Sequence, residues 1–235
     1  MKTLGLLGGM SWESTLPYYR LINETVRDRL GGLHSARLLL YSVDFAEVER
    51  LQHAGDWDAA GELLGRAARS LRDGGAELLL ICTNTMHKVA DAVEAASQLP
   101  LLHIADPTGA AIRAAGFSKV GLLGTRFTME EDFYRRRLIE RHGLEVLIPE
   151  ADEREIVHRV IYDELCVGQI RDESREQYRR IIANLTAHGA QAVILGCTEI
   201  GLLIAPKDVE IALFDTASLH ARAAALASIG VDELS

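Results

Sequence analysis

Short runs of leucine, isoleucine and valine alternate along the chain with longer segments whose apolar residues recur every three or four positions. Runs of the first kind fit buried strands and segments of the second fit amphipathic helices. Their alternation predicts βαβ units on a mostly parallel sheet. Strands are expected at 3–7, 37–43, 77–82, 101–104, 119–123, 145–147, 191–195 and 210–214. Helices are expected at 15–29, 57–72, 85–96, 107–114, 130–141, 152–164, 174–188 and 217–228. The fold class is α/β, with helices flanking mostly parallel sheets.

The pattern also repeats. Gly75-Ala76-Glu77-Leu78-Leu79-Leu80-Ile81-Cys82-Thr83 aligns with Gly189-Ala190-Gln191-Ala192-Val193-Ile194-Leu195-Gly196-Cys197, and Leu4-Gly5-Leu6-Leu7-Gly8 aligns with Val120-Gly121-Leu122-Leu123-Gly124. The offsets are nearly equal, 114 residues from 83 to 197 and 116 from 5 to 121. Two matched strand-to-turn units at one spacing predict a duplicated α/β unit. The expected division is a first domain of residues 1–104 plus 216–235 and a second of 105–215. Ligands of open α/β sheets bind beyond the carboxyl ends of the strands. A cleft between the halves is therefore the expected site, with the halves moving against each other.

Composition narrows the function classes. With 48% hydrophobic and 25% charged residues over 235 positions, the chain can bury a sizeable core and falls among globular proteins. A net charge of −9, with no basic stripe, argues against a nucleic-acid partner. No apolar run approaches the roughly 20 residues that span a bilayer, so no membrane partner is expected. Met1-Lys2 runs straight into Thr3-Leu4-Gly5-Leu6-Leu7-Gly8-Gly9, which reaches glycines too soon for a secretory leader and reads as the first strand. Three cysteines without a C-x-x-C pair supply neither a disulfide framework nor a zinc site, and a cytoplasmic address follows.

The strand ends carry the chemistry. Gly8-Gly9-Met10-Ser11 is a turn in which the backbone can approach a ligand and Ser11 or Ser14 can cap the next helix. It lacks the Lys-Ser/Thr pair of a P-loop and the G-x-G-x-x-G spacing of a dinucleotide site. In Gly124-Thr125-Arg126-Phe127-Thr128 the hydroxyls serve capping or a ligand, and both readings stay open. Thr83-Asn84-Thr85-Met86-His87 and Gly196-Cys197-Thr198-Glu199 place short polar side chains at helix N-termini, where a carboxylate is favoured and a thiol is more acidic than usual. Cys82 sits one residue earlier, on the opposite face of its strand, and reads as core. Cys166 lies near the end of an apolar-faced helix and reads as a small hydrophobe.

Taken together, the Gly-Gly-Met-Ser opening, the N-T-x-H turn and the G-C-T-E turn resemble the cofactor-independent aspartate/glutamate racemase family. The likeness is carried by Leu6-Leu7-Gly8-Gly9-Met10-Ser11-Trp12-Glu13-Ser14-Thr15 and Cys82-Thr83-Asn84-Thr85-Met86-His87-Lys88 and covers nearly the whole chain. It implies two pseudo-symmetric α/β domains with the active site between them, a homodimer, a small amino-acid substrate, and neither pyridoxal phosphate nor a metal. The family pattern has a cysteine before each N-T or T-E pair, one on either face of the substrate Cα, so that one removes the proton and the other returns it.

Cys197 matches the second of these positions, which serves the L face. Thr83 stands at the first, a departure from the pattern, and its hydroxyl is a far weaker base than a thiol of ordinary pKa about 8.5. By the same resemblance Asn84, Thr85, Thr198 and the backbone around Met10 hold the α-amino and α-carboxylate groups, and Gln52 contacts substrate, although a solvated amide is an equally good reading of it. Thr125, Arg126 and Thr128 are candidates for the side-chain carboxylate. Glu199 sits with the substrate-binding residues and fits the helix dipole without a catalytic duty, while His87 either orients a neighbour of Thr83 or completes its turn. A related isomerase acting on hydantoins or maleate, and a homologue that only binds an acidic metabolite, are the competing readings. Exchange at Cα separates the last of these from an enzyme.

Overall fold

The computed structural model describes residues 1–231. Its elements are, in order, β1 (Leu4–Gly8), α1 (Trp12–Leu30), β2 (Leu38–Ser42), α2 (Phe45–Ala54), α3 (Trp57–Asp73), β3 (Leu78–Ile81), α4 (Ala90–Ser97), α5 (Ala105–Ala114), β4 (Lys119–Gly124), α6 (Arg126–Glu130), α7 (Asp132–His142), β5 (Glu145–Leu147), α8 (Ala151–Asp163), α9 (Asp172–Ala187), β6 (Ala192–Gly196), α10 (Ile200–Leu203), β7 (Ala212–Asp215) and α11 (Thr216–Ser228). The chain divides into two compact units, residues 1–104 with 220–235 and residues 105–219.

The first unit holds a parallel sheet ordered β2-β1-β3, and Leu101 adds a single parallel bridge beside Leu79. The second holds a parallel sheet ordered β5-β4-β6-β7. The orders match position for position. β1 and β4 are central, β3 and β6 flank them, and the bridge at Leu101 stands where β7 stands in the second sheet. Every residue of β1, β3 and β6 is buried, which accounts for their unbroken leucine, isoleucine and valine runs.

The expected strand at 101–104 forms only that one bridge. Pro100 has no N–H to give a ladder, and although the Leu102 N–H still donates to the Leu79 carbonyl, the Leu102 carbonyl and the Ile104 N–H are taken by His220 and His87. Three helices are additional to the sequence reading, α2, α6 and the four-residue α10. The α2 segment alternates charged and apolar residues over only ten positions, and α6 is a single short turn. The expected helix at 85–96 begins instead as a 3-10 turn, Thr85–Val89, that passes into α4.

Local sequence explains the packing. In α1 the buried residues Thr15, Tyr18, Ile22 and Val26 recur every three or four positions and form one stripe. Asp56 caps α3 by accepting the Ala59 N–H. Small residues let α3 lie close against α4: a Cβ on Gly65 would come within 2.9 Å of the Ala96 Cβ. The core of the first unit gathers Leu7, Leu64, Leu71, Leu79, Ile81 and Met86. Each buried leucine of this kind contributes on the order of 2 kcal/mol.

Candidate active site

Strand register places the two chemical positions equivalently. Leu7 pairs with Ile81 in the first sheet and Leu123 with Leu195 in the second. Two residues beyond Ile81 stands Thr83, and two beyond Leu195 stands Cys197. The intermediate positions, Cys82 and Gly196, turn inward. Cys82 has 0% exposure, and a Cβ on Gly196 would lie 2.6 Å from Leu122 Cδ1 and 2.8 Å from the Leu123 carbonyl. Thr83 and Cys197 are nearly buried, at 9% and 8% exposure. Burial pushes the Cys82 thiol far above its ordinary range, which removes it as a base.

In the first unit Met10, Gln52, Asn84 and Thr85 are all buried. Gln52 lies on α2 and donates from Nε2 to the Met86 sulfur at 3.0 Å, so it is a buried amide rather than a solvated one. Met10 packs its side chain into the core, which leaves its backbone for any ligand. Ser11 occupies the N-cap position of α1 without a side-chain capping bond. Thr15 ties the turn instead, taking the Gly9 N–H at 2.9 Å and giving its own hydroxyl hydrogen to the Ser11 carbonyl at 2.8 Å. Gly9 has φ +87, a conformation that glycine adopts without strain. His87 sits in the 3-10 turn with Nδ1 2.8 Å from the Thr83 carbonyl.

In the second unit, Cys197 is joined to Glu199. The thiol donates to Glu199 Oε2 at 2.9 Å, and the Thr198 hydroxyl donates to the same oxygen at 2.9 Å. Glu199 is almost fully buried, at 2% exposure. Burial first, then the Glu199 charge and the nearby Cys166, hold the Cys197 thiol well above its ordinary range. This corrects the expectation of an acidified thiol. The helix that follows, α10, has only four residues and little dipole to offer, while a carboxylate lies within hydrogen-bonding distance. Glu199, expected among the substrate-binding residues and to fit the helix dipole, is the direct partner of the thiol. Cys166 lies in a 3-10 turn, Leu165–Val167, after α8, and burial raises its thiol too.

The turn after β4 is occupied largely by itself. Thr125 caps α6 by accepting the Thr128 N–H at 3.3 Å, and the two hydroxyls lie 3.2 Å apart. Thr128 has no exposed surface. The Arg126 N–H donates to His158 Nδ1, and its guanidinium pairs with Glu155 at 3.3 Å. Among the described residues, no group of three or more His, Cys, Asp or Glu is placed to hold a metal, and no helix is long and apolar enough to cross a membrane.

The profile of the Asp/Glu/Hydantoin racemase family matches residues 7–224. Among solved structures, a candidate Asp/Glu racemase from Yersinia pestis is similar at 58% identity and a TM-score of 0.89, over 97% of this chain and 100% of that one. An aspartate racemase homologue from Pyrococcus horikoshii OT3 is similar at 38% identity and a TM-score of 0.79, over 94% and 96% of the two chains. The Picrophilus torridus aspartate racemase, at 21% identity, shares the fold with a TM-score of 0.77 over 98% and 95%. With two duplicated parallel sheets, matched strand ends bearing Thr83 and Cys197, and a profile match over nearly its whole length, the chain belongs to the Asp/Glu/Hydantoin racemase family and is a racemase, an isomerase.

Proposed function

We propose that the protein racemises aspartate or glutamate without a cofactor, with Cys197 as base toward the L enantiomer and Thr83 as the proton donor on the opposite face. The observation that carries this reading is the equivalence of Thr83 and Cys197 at the ends of matched strands, with Glu199 hydrogen-bonded to the thiol. In the proposed reaction the Cys197 thiolate removes the Cα proton of an L-amino acid and becomes a thiol. The carbanion then takes a proton from the Thr83 hydroxyl, which gives the D enantiomer and leaves an alkoxide to be reprotonated from solvent. Asn84, Thr85, Thr198 and the Met10 backbone hold the α-amino and α-carboxylate groups, Gln52 borders them, and Thr125, Arg126 and Thr128 are the candidates beside the substrate's side-chain carboxylate.

A thiol whose pKa is raised is sparsely ionised at neutral pH, but the thiolate that forms is a stronger base. Substrate Cα–H is a very weak acid, so base strength offsets scarcity. The reading extends to a cytoplasmic homodimer that uses neither pyridoxal phosphate nor a metal. An exposed apolar stripe on α1, formed by Trp12, Leu16 and Tyr19, supports the association of two copies. Incubation of L- and D-aspartate and glutamate in deuterium oxide, followed by proton NMR at Cα, tests the reaction. From the L substrate, deuterium wash-in with slower appearance of the D enantiomer is expected. Binding without any wash-in would favour a metabolite-binding role instead.

A further inference from the structure

Three buried histidines, His87, His103 and His220, cluster in the first unit. The His87 ring centroid is 4.4 Å from that of His103 and 5.9 Å from that of His220. His87 Nδ1 lies 2.8 Å from the Thr83 carbonyl, and the Ile104 N–H donates to His87 Nε2 at 3.1 Å. A carbonyl only accepts and an amide N–H only donates, so these partners fit one form of the ring: neutral, with its hydrogen on Nδ1. His220 is held as well, and the carbonyl it faces requires a hydrogen on Nε2. Its Nε2 lies 2.8 Å from the Leu102 carbonyl and its Nδ1 2.9 Å from the Tyr18 hydroxyl. The chain leaves the first unit after Ile104 and returns to it at His220. Both passages are therefore tied down by imidazoles, and His87 links the first of them to the backbone of Thr83.

We propose that His87 is a positioning residue for Thr83: its neutral imidazole clamps the Thr83 carbonyl to the Ile104 amide and so sets where the Thr83 hydroxyl stands. The role is not that of a proton relay, because both ring nitrogens face backbone groups rather than the hydroxyl. A hydroxyl that must reach a carbanion tolerates little misplacement, and a shift of about 1 Å in a reacting group costs up to roughly a hundredfold in rate. This inference rests on the racemase reading above. It adds that the Thr83 step, and not the Cys197 step, depends on His87.

The test uses the full chain with L-aspartate and L-glutamate in deuterium oxide. Wash-in at Cα of the L substrate reports the Cys197 step, and formation of the D enantiomer reports the Thr83 step. The ratio of the second to the first does not depend on how much protein is folded. His87→Ala is expected to lower that ratio about tenfold or more, and His87→Asn, which retains a donor near Nδ1, to restore most of it. A loss of both rates by one factor, with the ratio unchanged, would show a merely structural histidine and overturn the inference. So would a His87→Asn protein no better than His87→Ala. Should neither variant fold, nitrogen-15 NMR of the ring-labelled unaltered protein decides, since an imidazolium or an Nε2–H tautomer at His87 at neutral pH contradicts the clamp. Absence of wash-in from the unaltered protein would remove the racemase reading itself, and this inference with it, before any variant is compared.

Discussion

A thiol whose sulfur lies 2.9 Å from an oxygen of a buried carboxylate, to which it donates, governs what Cys197 can do. Because burial and the Glu199 charge raise the thiol, kcat/KM for an L substrate should climb with pH from 7 through 9; a plateau reached below pH 7 would contradict the raised thiol. Cys197→Ser keeps the shape but removes the thiolate, and should lower Cα wash-in by about a thousandfold, the usual scale of a direct proton-transfer group. Cys82→Ala should leave turnover near that of the unaltered protein, because this thiol points into the core. Glu199→Gln separates two effects of one carboxylate. Loss of its charge should lower the Cys197 pKa and hasten alkylation of Cys197 by iodoacetamide at pH 8, while loss of the proton acceptor should slow wash-in about tenfold or more. Slower alkylation in that variant would show that Glu199 does not raise the thiol. The orientation of Cys82 away from Thr83 is legible in the sequence, since side chains alternate along a strand. The Cys197–Glu199 bond is not, because a contact between residues two apart in a turn depends on dihedral angles that no periodicity encodes.

At the scale of elements, the leucine-rich strands and the long amphipathic helices are legible because burial on both faces of a parallel strand and on one stripe of a helix leaves a clear pattern. Short elements are not. The 101–104 segment has the composition of a strand, yet the Leu102 carbonyl and the Ile104 N–H are taken by His220 and His87, residues 118 and 17 positions away. Tertiary partners of that kind leave no local trace. A second such contact joins α5 to α7. Arg137 holds both oxygens of Asp106, each at 2.6 Å, with the two side chains 24% and 22% exposed. Burial alone would raise the Asp106 carboxyl, but the Arg137 hydrogen bond and charge, aided by Arg141 and His142, outweigh it and hold the carboxyl below its usual range. A carboxylate lowered in the folded state contributes stability that is fully present above its unfolded pKa of about 3.9 and is lost as pH falls through the lower folded value. Arg137→Met should therefore cost about 2 kcal/mol in urea unfolding at pH 6, and the gap from the unaltered protein should narrow as pH is taken below about 3.9. An equal gap at every pH would show that the loss comes from packing and not from the ion pair.

For the whole molecule, the division into two units poses a question of coupling. Each unit has its own parallel sheet and its own helices, and the chain passes between them only twice, after Ile104 and after Leu219. Units joined so sparsely can unfold separately, and a heat scan of the ligand-free protein then contains two transitions or one broadened transition. In the proposed reaction the substrate needs Thr83 from the first unit and Cys197 from the second. A ligand bound to both stabilises each unit only while the other is folded, which makes the unfolding more cooperative as well as shifting it. At a hundred times its dissociation constant, a ligand of the folded state alone adds about 2.7 kcal/mol. For a chain of this length that corresponds to a rise of roughly 5–10 °C. Calorimetry with saturating L-aspartate or L-glutamate should accordingly show a higher and sharper transition. The same scan on Cys197→Ser, which retains the binding groups, should show nearly the same rise, because the thiol is needed for proton removal and not for holding the amino acid. A ligand that raises the melting of one transition and leaves the other in place would mean that it is held by one unit alone, and the shared role of Thr83 and Cys197 would fall with it.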